Sequence, residues 1–401
     1  MRLSRREFLP TAGLGLGALW SRSGARASVV AARRARAFDP WLEIDEGALR
    51  ANASAVARMA GGRPVLAVVK NNAYGLGLTT IAPVLNALEE IAGCAVVKSE
   101  AALALRDAGF AGPVLLMARV DDAEAEELVR RGIQLTPFAA DDLQRLPALA
   151  ERLRRPVPVQ LYVDTGMARL GIPFRRAADW TAALVSTGAV VVEGSFTAFT
   201  EEDEFDAVQL ARFREVVETA RRAGVDPGPL HAASSHGVVF RRDAHLDMVR
   251  PGLVLFGAHP AGTPEDVGAQ LRPAFRLKAK VVRVERLEPG DSVSYGREYV
   301  AERPTWIATL PVGHADGYPR RAVEGCEVLI AGRLYPVIGA VSASHTIVEL
   351  GDEASVVVED EAVLIGPDHA AIHPNAVAER AGISVYDVLM HLGAGLPRQL
   401  V

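Results

Sequence analysis

Between residues 41 and 271 the chain repeatedly alternates a short apolar run with a longer Ala/Leu/Arg-rich amphipathic stretch. Near-continuous apolar runs predict strands buried on both faces, and amphipathic stretches between them predict crossover helices. Strands are expected over 65–70, 94–97, 113–117, 133–137, 157–164, 190–196, 230–233 and 248–255. Helices are expected over 122–131, 177–186 and 206–223. Eight such repeats predict an α/β fold, a (β/α)8 TIM-type barrel over 41–271. A doubly wound sheet is the alternative, disfavoured because no Gly-rich dinucleotide fingerprint opens the first unit.

The texture changes near residue 272. The run 275–287 largely alternates apolar and polar residues, and shorter β-rich pieces follow over 305–310, 327–331, 334–338 and 362–365. Residues 272–401 therefore read as a mainly β C-terminal domain, with a short helical stretch over 374–391.

A net charge of −5 argues against a nucleic-acid surface. Cations are overwhelmingly arginine, and the lysines are Lys70, Lys98, Lys278 and Lys280, so amine chemistry has few candidates. Cys94 and Cys326 lack metal-ligand spacing and allow at most one disulfide. Cys94 falls in an apolar run that reads as a buried strand. At the N-terminus, Ser4-Arg5-Arg6-Glu7-Phe8-Leu9 precedes a Gly-rich apolar stretch and the small-x-small pattern Ala25-Arg26-Ala27. That order reads as a twin-arginine export signal over 1–27, placing the mature protein outside the cytoplasm, in the periplasm. The apolar run is too short for a stable span, so no membrane span is expected in the mature chain.

Lys70 ends a buried-type strand and leads straight into a Gly-containing loop, Asn71-Asn72-Ala73-Tyr74-Gly75-Leu76-Gly77. The C-terminal ends of barrel strands form the active-site face. A lysine there, its stem in an apolar wall, tends to a lowered pKa and can attack an aldehyde as the free amine. A lysine that only extends to solvent from a strand end fits the position equally well.

The 70–77 segment resembles the cofactor-lysine motif of the alanine racemase family, which are fold-type III pyridoxal-phosphate enzymes. The similarity continues in register over nearly all of 41–401. Asp164-Thr165-Gly166-Met167-Ala168-Arg169-Leu170-Gly171 resembles the fifth-strand motif, and Met248-Val249-Arg250-Pro251-Gly252 the eighth. Val293-Ser294-Tyr295-Gly296 and Gly313-His314-Ala315-Asp316-Gly317-Tyr318 resemble two motifs of the C-terminal domain.

The resemblance implies a racemase that interconverts L- and D-alanine, or a wider set of amino acids, using pyridoxal 5'-phosphate. Lys70 would be the Schiff-base residue and the base on one face of the substrate Cα. Tyr295 would serve the other face from the partner subunit, in a head-to-tail homodimer with composite sites. Tyr74, Ser235 and the backbone of Gly252 and Leu253 would bind the phosphate. Arg250 would face the pyridine nitrogen and His231 would orient it. Arg169 would contact the cofactor's phenolic oxygen or the substrate carboxylate, and Ala343 falls in the stretch that receives that carboxylate.

The sequence departs from the family at several of these positions. Ala198 replaces the histidine that packs on the cofactor ring, and Ser234-Ser235 replaces an Asn-Ser pair. His314 replaces a tyrosine, and Ser342-Ala343-Ser344 replaces Cys-Met-Asp. Tyr162 stands where a carbamylated lysine is common, and Ala394 and Gly395 where bulkier residues are. Two readings stay open: an active racemase with more room at the substrate end, or a diverged exported homologue that binds cofactor or amino acid without turnover. Decarboxylation on the same barrel is disfavoured, because decarboxylases of this fold place an acid where Arg250 stands.

Overall fold

In the computed structural model, residues 38–401 are described; the segment read as an export signal lies outside them. Among the described residues no helix is long and apolar enough to cross a membrane.

Two arcs of parallel strands make the barrel. Val65–Val68, Ile91–Val96, Val114–Leu116 and Ile133–Gln134 form one. Val157–Asp164, Val190–Phe196 and Leu230–His231 lie in the other. A parallel bridge between Leu135 and Val159 joins them. Bridges from His231 to Met248 and from Val65 to Val249 close the ring through an eighth segment. The eighth strand expected over 248–255 is thus reduced to a short pass. Pro251 has no N–H to donate, and the chain turns into a 3-10 helix, Leu253–Phe256. The carbonyls of Val249 and Pro251 still accept from Leu66 and Val68, both at 2.8 Å, so the seam stays sealed.

Burial explains why this sequence closes into a barrel. Every residue of Val65–Val68 is buried, as strands covered on both faces require. The helices outside are one-sided. Asp203–Arg222 buries Asp206, Gln209, Leu210, Phe213, Val216, Val217 and Ala220, a stripe at helical spacing. Its N-terminus is capped by Glu202, which accepts from the Phe205 N–H at 2.9 Å.

The β-rich part is a nine-stranded sheet. The run expected over 275–287 divides into Phe275–Lys280 and Arg283–Leu287, which pair with different neighbours. The helical stretch expected over 374–391 is two helices, Pro374–Arg380 and Val385–Met390. Trp41–Ile44, expected at the start of the barrel segment, belongs to this sheet instead. It pairs antiparallel with Phe275–Lys280 and parallel with Arg398–Leu400. The physical reason is its alternation. Leu42 and Ile44 are fully buried while Trp41 and Glu43 are only partly covered, the signature of a half-solvated sheet.

Cys94 and Cys326 are both buried free thiols, the first in barrel strand Ile91–Val96 and the second beside the Tyr318 ring in the β part.

Candidate active site

The strand carrying Lys70 ends at Val68, two residues short of the expected limit. Lys70 then opens a turn in which Asn71, Asn72, Ala73 and Tyr74 all have φ between 52 and 56°. Consecutive left-handed residues cost L-amino acids roughly 1–2 kcal/mol each, so outside contacts must hold the turn. They come from the C-terminal segment. Arg398 donates to the Gly75 carbonyl through Nη2 at 2.6 Å and Nε at 3.1 Å. Helix Val385–Met390 packs so closely that a β-carbon on Gly75 would lie 2.3 Å from the Leu389 carbonyl oxygen. The turn swings Tyr74 under Lys70, whose Nζ stands 5.8 Å from the ring centroid.

Lys70, Tyr74, Arg169, Ser235, Arg250 and Gly252 line one cavity of about 670 Å³. Burial first, and Arg169 second, lower the Lys70 pKa, so more of it is the nucleophilic free amine.

At one end of the cavity is an anion cradle. The Tyr74 hydroxyl lies so near the Gly252 backbone that a β-carbon there would sit 2.2 Å from it. Ser235 Oγ accepts from the Gly252 N–H at 3.1 Å and the Val254 N–H at 3.4 Å, with Leu253 buried between them. Two hydroxyls converging on a bare backbone suit the oxygens of a phosphate. Tyr386, from helix Val385–Met390, joins this wall with its ring centroid 6.3 Å from that of Tyr74. Sequence reasoning missed Tyr386; its signal was a lone tyrosine behind the N-cap serine Ser384.

Arg250 enters from the floor, nearly fully buried. Its Nη1 donates to His231 Nδ1 at 2.6 Å and its Nη2 to the Thr197 carbonyl at 2.8 Å. Arginine only donates, so His231 Nδ1 must accept and its proton must sit on Nε2. That proton is directed to Gln160 Oε1 at 2.7 Å, and Gln160 Nε2 donates in turn to Gln134 Oε1 at 2.7 Å. Burial, then Arg250, push the His231 pKa well down, so the imidazole stays neutral and the chain keeps one direction. Burial also pushes Arg250 down, to about 10, which leaves it protonated at neutral pH. Phe196 stacks between His231 and Tyr162, at centroid distances of 5.0 and 4.5 Å, and the Arg250 guanidinium lies 4.9 Å from the Phe196 centroid. The two glutamines were not anticipated, although polar residues inside apolar barrel strands were the available sign.

Arg169 rides on the loop after strand Val157–Asp164. Asp164 Oδ1 accepts from the Gly166 and Ala168 N–H groups, both at 3.0 Å, and shapes that loop. Ala198 also lines the cavity.

Tyr295 and Ala343 do not join the cavity of their own chain. Tyr295 is 78% exposed and Ala343 is also exposed, both on the β-rich part. Their loops share a surface: Ser294 Oγ donates to the Ala340 carbonyl at 2.8 Å, and the His314 N–H to the Ser342 carbonyl at 3.0 Å.

A ring of parallel strands with a desolvated lysine and an anion cradle at its mouth defines a TIM-barrel enzyme. Comparison with known proteins narrows this class. The family model "Alanine racemase, N-terminal domain" matches residues 44–260, and "Alanine racemase, C-terminal domain" matches 274–400. The chain belongs to the alanine racemase family. It is 37% identical to an alanine racemase of Symbiobacterium thermophilum over 365 residues, 89% of this chain and 96% of that one. An alanine racemase of Geobacter sp. strain M21 is 36% identical over 361 residues, 87% of this chain and 94% of the other. Among solved structures, the alanine racemase of Streptomyces lavendulae superposes with TM-score 0.85 at 31% identity, covering 91% of this chain and 97% of that one. That of Streptomyces coelicolor A3(2) gives 0.84 at 31% identity, covering 91% and 98%.

Proposed function

We propose that this chain is an alanine racemase that uses pyridoxal 5'-phosphate. The observation that carries the reading is the shared cavity of Lys70, the Tyr74–Ser235–Gly252 cradle and Arg250. Tyr74, Ser235 and the backbone at Gly252 would hold the phosphate, and Arg250 would meet the ring nitrogen. Bound there, the cofactor would supply an aldehyde for amines and an acceptor for the electron pair left at Cα.

The chain's own residues supply the rest. Lys70 Nζ, with its pKa lowered by burial, can take or return a proton on one face of the substrate Cα. Arg250 keeps its protons and is already bonded to His231 and Thr197, so it donates without giving up charge. That limits how strongly the ring withdraws electrons and favours returning a proton to Cα over other outcomes. Arg169 offers a fork for a carboxylate at the cavity rim. The opposite face needs a second base. Tyr295, exposed and outside its own cavity, serves it from a second copy in a head-to-tail homodimer.

The test is D/L interconversion of alanine by the purified, cofactor-loaded protein, with solvent deuterium appearing at Cα. Absorbance before and after borohydride, and a Lys70 adduct by mass spectrometry, check the cofactor separately. Cofactor fixed on Lys70 with no deuterium uptake from any amino acid would favour a second reading, binding without turnover. Ala198 and the Ser342–Ala343–Ser344 stretch favour that reading. The arginine pair Arg5-Arg6 and the apolar stretch after it support export of the folded protein, which cell fractionation tests.

A further inference from the structure

Beside the lysine cavity lies a second one of about 740 Å³, and Glu201 and Tyr386 line both. The two differ in charge. Lys70, Arg169 and Arg250 dominate the first. Glu201 and Glu379 face the second, and no lysine or arginine is among the residues lining it. His236, also in that wall, has a buried Nδ1 without a hydrogen-bond partner.

The backbone at Glu201 is fixed by buried partners. Its φ of 65° is a conformation that residues other than glycine seldom adopt. The fully buried Asp206 secures it by accepting from the Glu201 N–H at 3.1 Å through Oδ1. Gln209, also fully buried, accepts from the neighbouring Thr200 N–H at 2.9 Å. Ser234 Oγ donates to the Glu201 carboxylate at 3.3 Å. The buried partners fix the backbone at 200–201, so the exposed Glu201 carboxylate stands at a set point between the two cavities.

We propose that Glu201 selects amino acids with a basic side chain, seating the side-chain cation between the two cavities while the α-amino and α-carboxylate groups stay with Lys70 and Arg169. This deepens the racemase reading and rests on it. Alanine's methyl leaves the region around Glu201 and Tyr386 unfilled. A long, flexible basic side chain reaches past Tyr386 with its stem on the ring and its charge at the carboxylate. A neutral chain of the same length gains only the stem contact, and an acidic one meets Glu201 and Glu379 as like charges.

The experiment compares L-lysine, its neutral straight-chain analogue L-norleucine, L-glutamate and L-alanine on the holoenzyme. The lysine-to-norleucine ratio of kcat/KM is expected at about tenfold, the scale of one charge-assisted contact, with glutamate poorest. Glu201→Gln brings that ratio towards unity, and Glu379→Gln lowers it less. Equal rates for lysine and norleucine, or a ratio unchanged by both variants, overturn the proposal. If no amino acid is racemised, the racemase reading fails and calorimetry decides this one separately. Tighter binding of lysine than norleucine, lost in Glu201→Gln, supports it; equal binding overturns it.

Discussion

Gly252 has no room for a side chain, because a β-carbon there would stand 2.2 Å from the Tyr74 hydroxyl. The contact ties the left-handed turn after Lys70 to the seam that closes the barrel. Gly252→Ala should drive Tyr74 out of the cradle and weaken cofactor retention tenfold or more, on the order of one lost charge-assisted hydrogen bond. Equilibrium dialysis against pyridoxal 5'-phosphate measures it. Unchanged affinity would show that the cradle does not hold the phosphate.

His231→Phe keeps the stack on Phe196 but removes the 2.6 Å acceptor of Arg250 Nη1, leaving it only the residue-231 carbonyl at 3.5 Å. Leaving a buried donor with only a long contact costs at most what an unpaired one does, about 1–3 kcal/mol. The variant should unfold at lower denaturant by up to that amount and racemise about tenfold more slowly or worse. Gln160→Leu should give a weaker version of the same effect, since the His231 ring stays but its Nε2 proton loses its partner. Urea titration and alanine kinetics read the two effects separately.

Lys70→Ala and Tyr295→Phe variants should each be nearly inactive. Mixed after reversible dissociation, they should recover about a quarter of native activity. Half the dimers would then be mixed, each with one intact composite site, as two-fold exchange of elements requires. No recovery, with mixed dimers shown to form, would mean that Tyr295 does not act across the subunit boundary.

His373 links stability to pH. Its burial, then the neighbouring His259, lower its pKa from 6.5 to about 4. The neutral Nδ1 also accepts from the Asn375 N–H at 3.2 Å, capping helix Pro374–Arg380. The unfolded chain takes up a proton near pH 6.5, and the folded one only near 4. Stability is therefore complete above pH 6.5 and lost as pH falls towards 4, by about 3 kcal/mol for the full shift. His373→Asn keeps a capping acceptor without a titrating group. Its unfolding free energy should fall by about that much less between pH 7.5 and 4, measured by urea titration.

Particular residues explain how much of this was legible in the sequence. Val157–Asp164 and Val190–Phe196 match their expected limits because each opens on a β-branched valine-rich run and is followed by a polar residue, Thr165 and Thr197. The eighth strand is shorter than its apolar run because apolar residues continue past Pro251, where hydrogen bonding changes and hydrophobicity does not. Trp41–Ile44 falls within the expected barrel segment only by its place in the chain, while its alternation fits a sheet with one wet face. The turn after Lys70 has no periodicity to detect; its one local sign is Asn71-Asn72, a residue type that tolerates positive φ. The motif positions Lys70, Tyr74, Arg169, Ser235, Arg250 and Gly252 converge on one cavity. Glu201 and Tyr386 lie outside those motifs and were visible only once distant loops were brought together.

The pairing of Trp41–Ile44 with Arg398–Leu400 has a consequence for biosynthesis. The early strand leaves the ribosome hundreds of residues before its parallel neighbour exists. Arg398, which steadies the turn behind Lys70 through the Gly75 carbonyl, arrives with that late strand. A nascent chain can assemble most of its barrel and still lack the clamp behind its reactive amine. The lysine cavity therefore depends on a residue far along the chain, and a chain ending before Arg398 would hold a nearly complete barrel with a slack lysine.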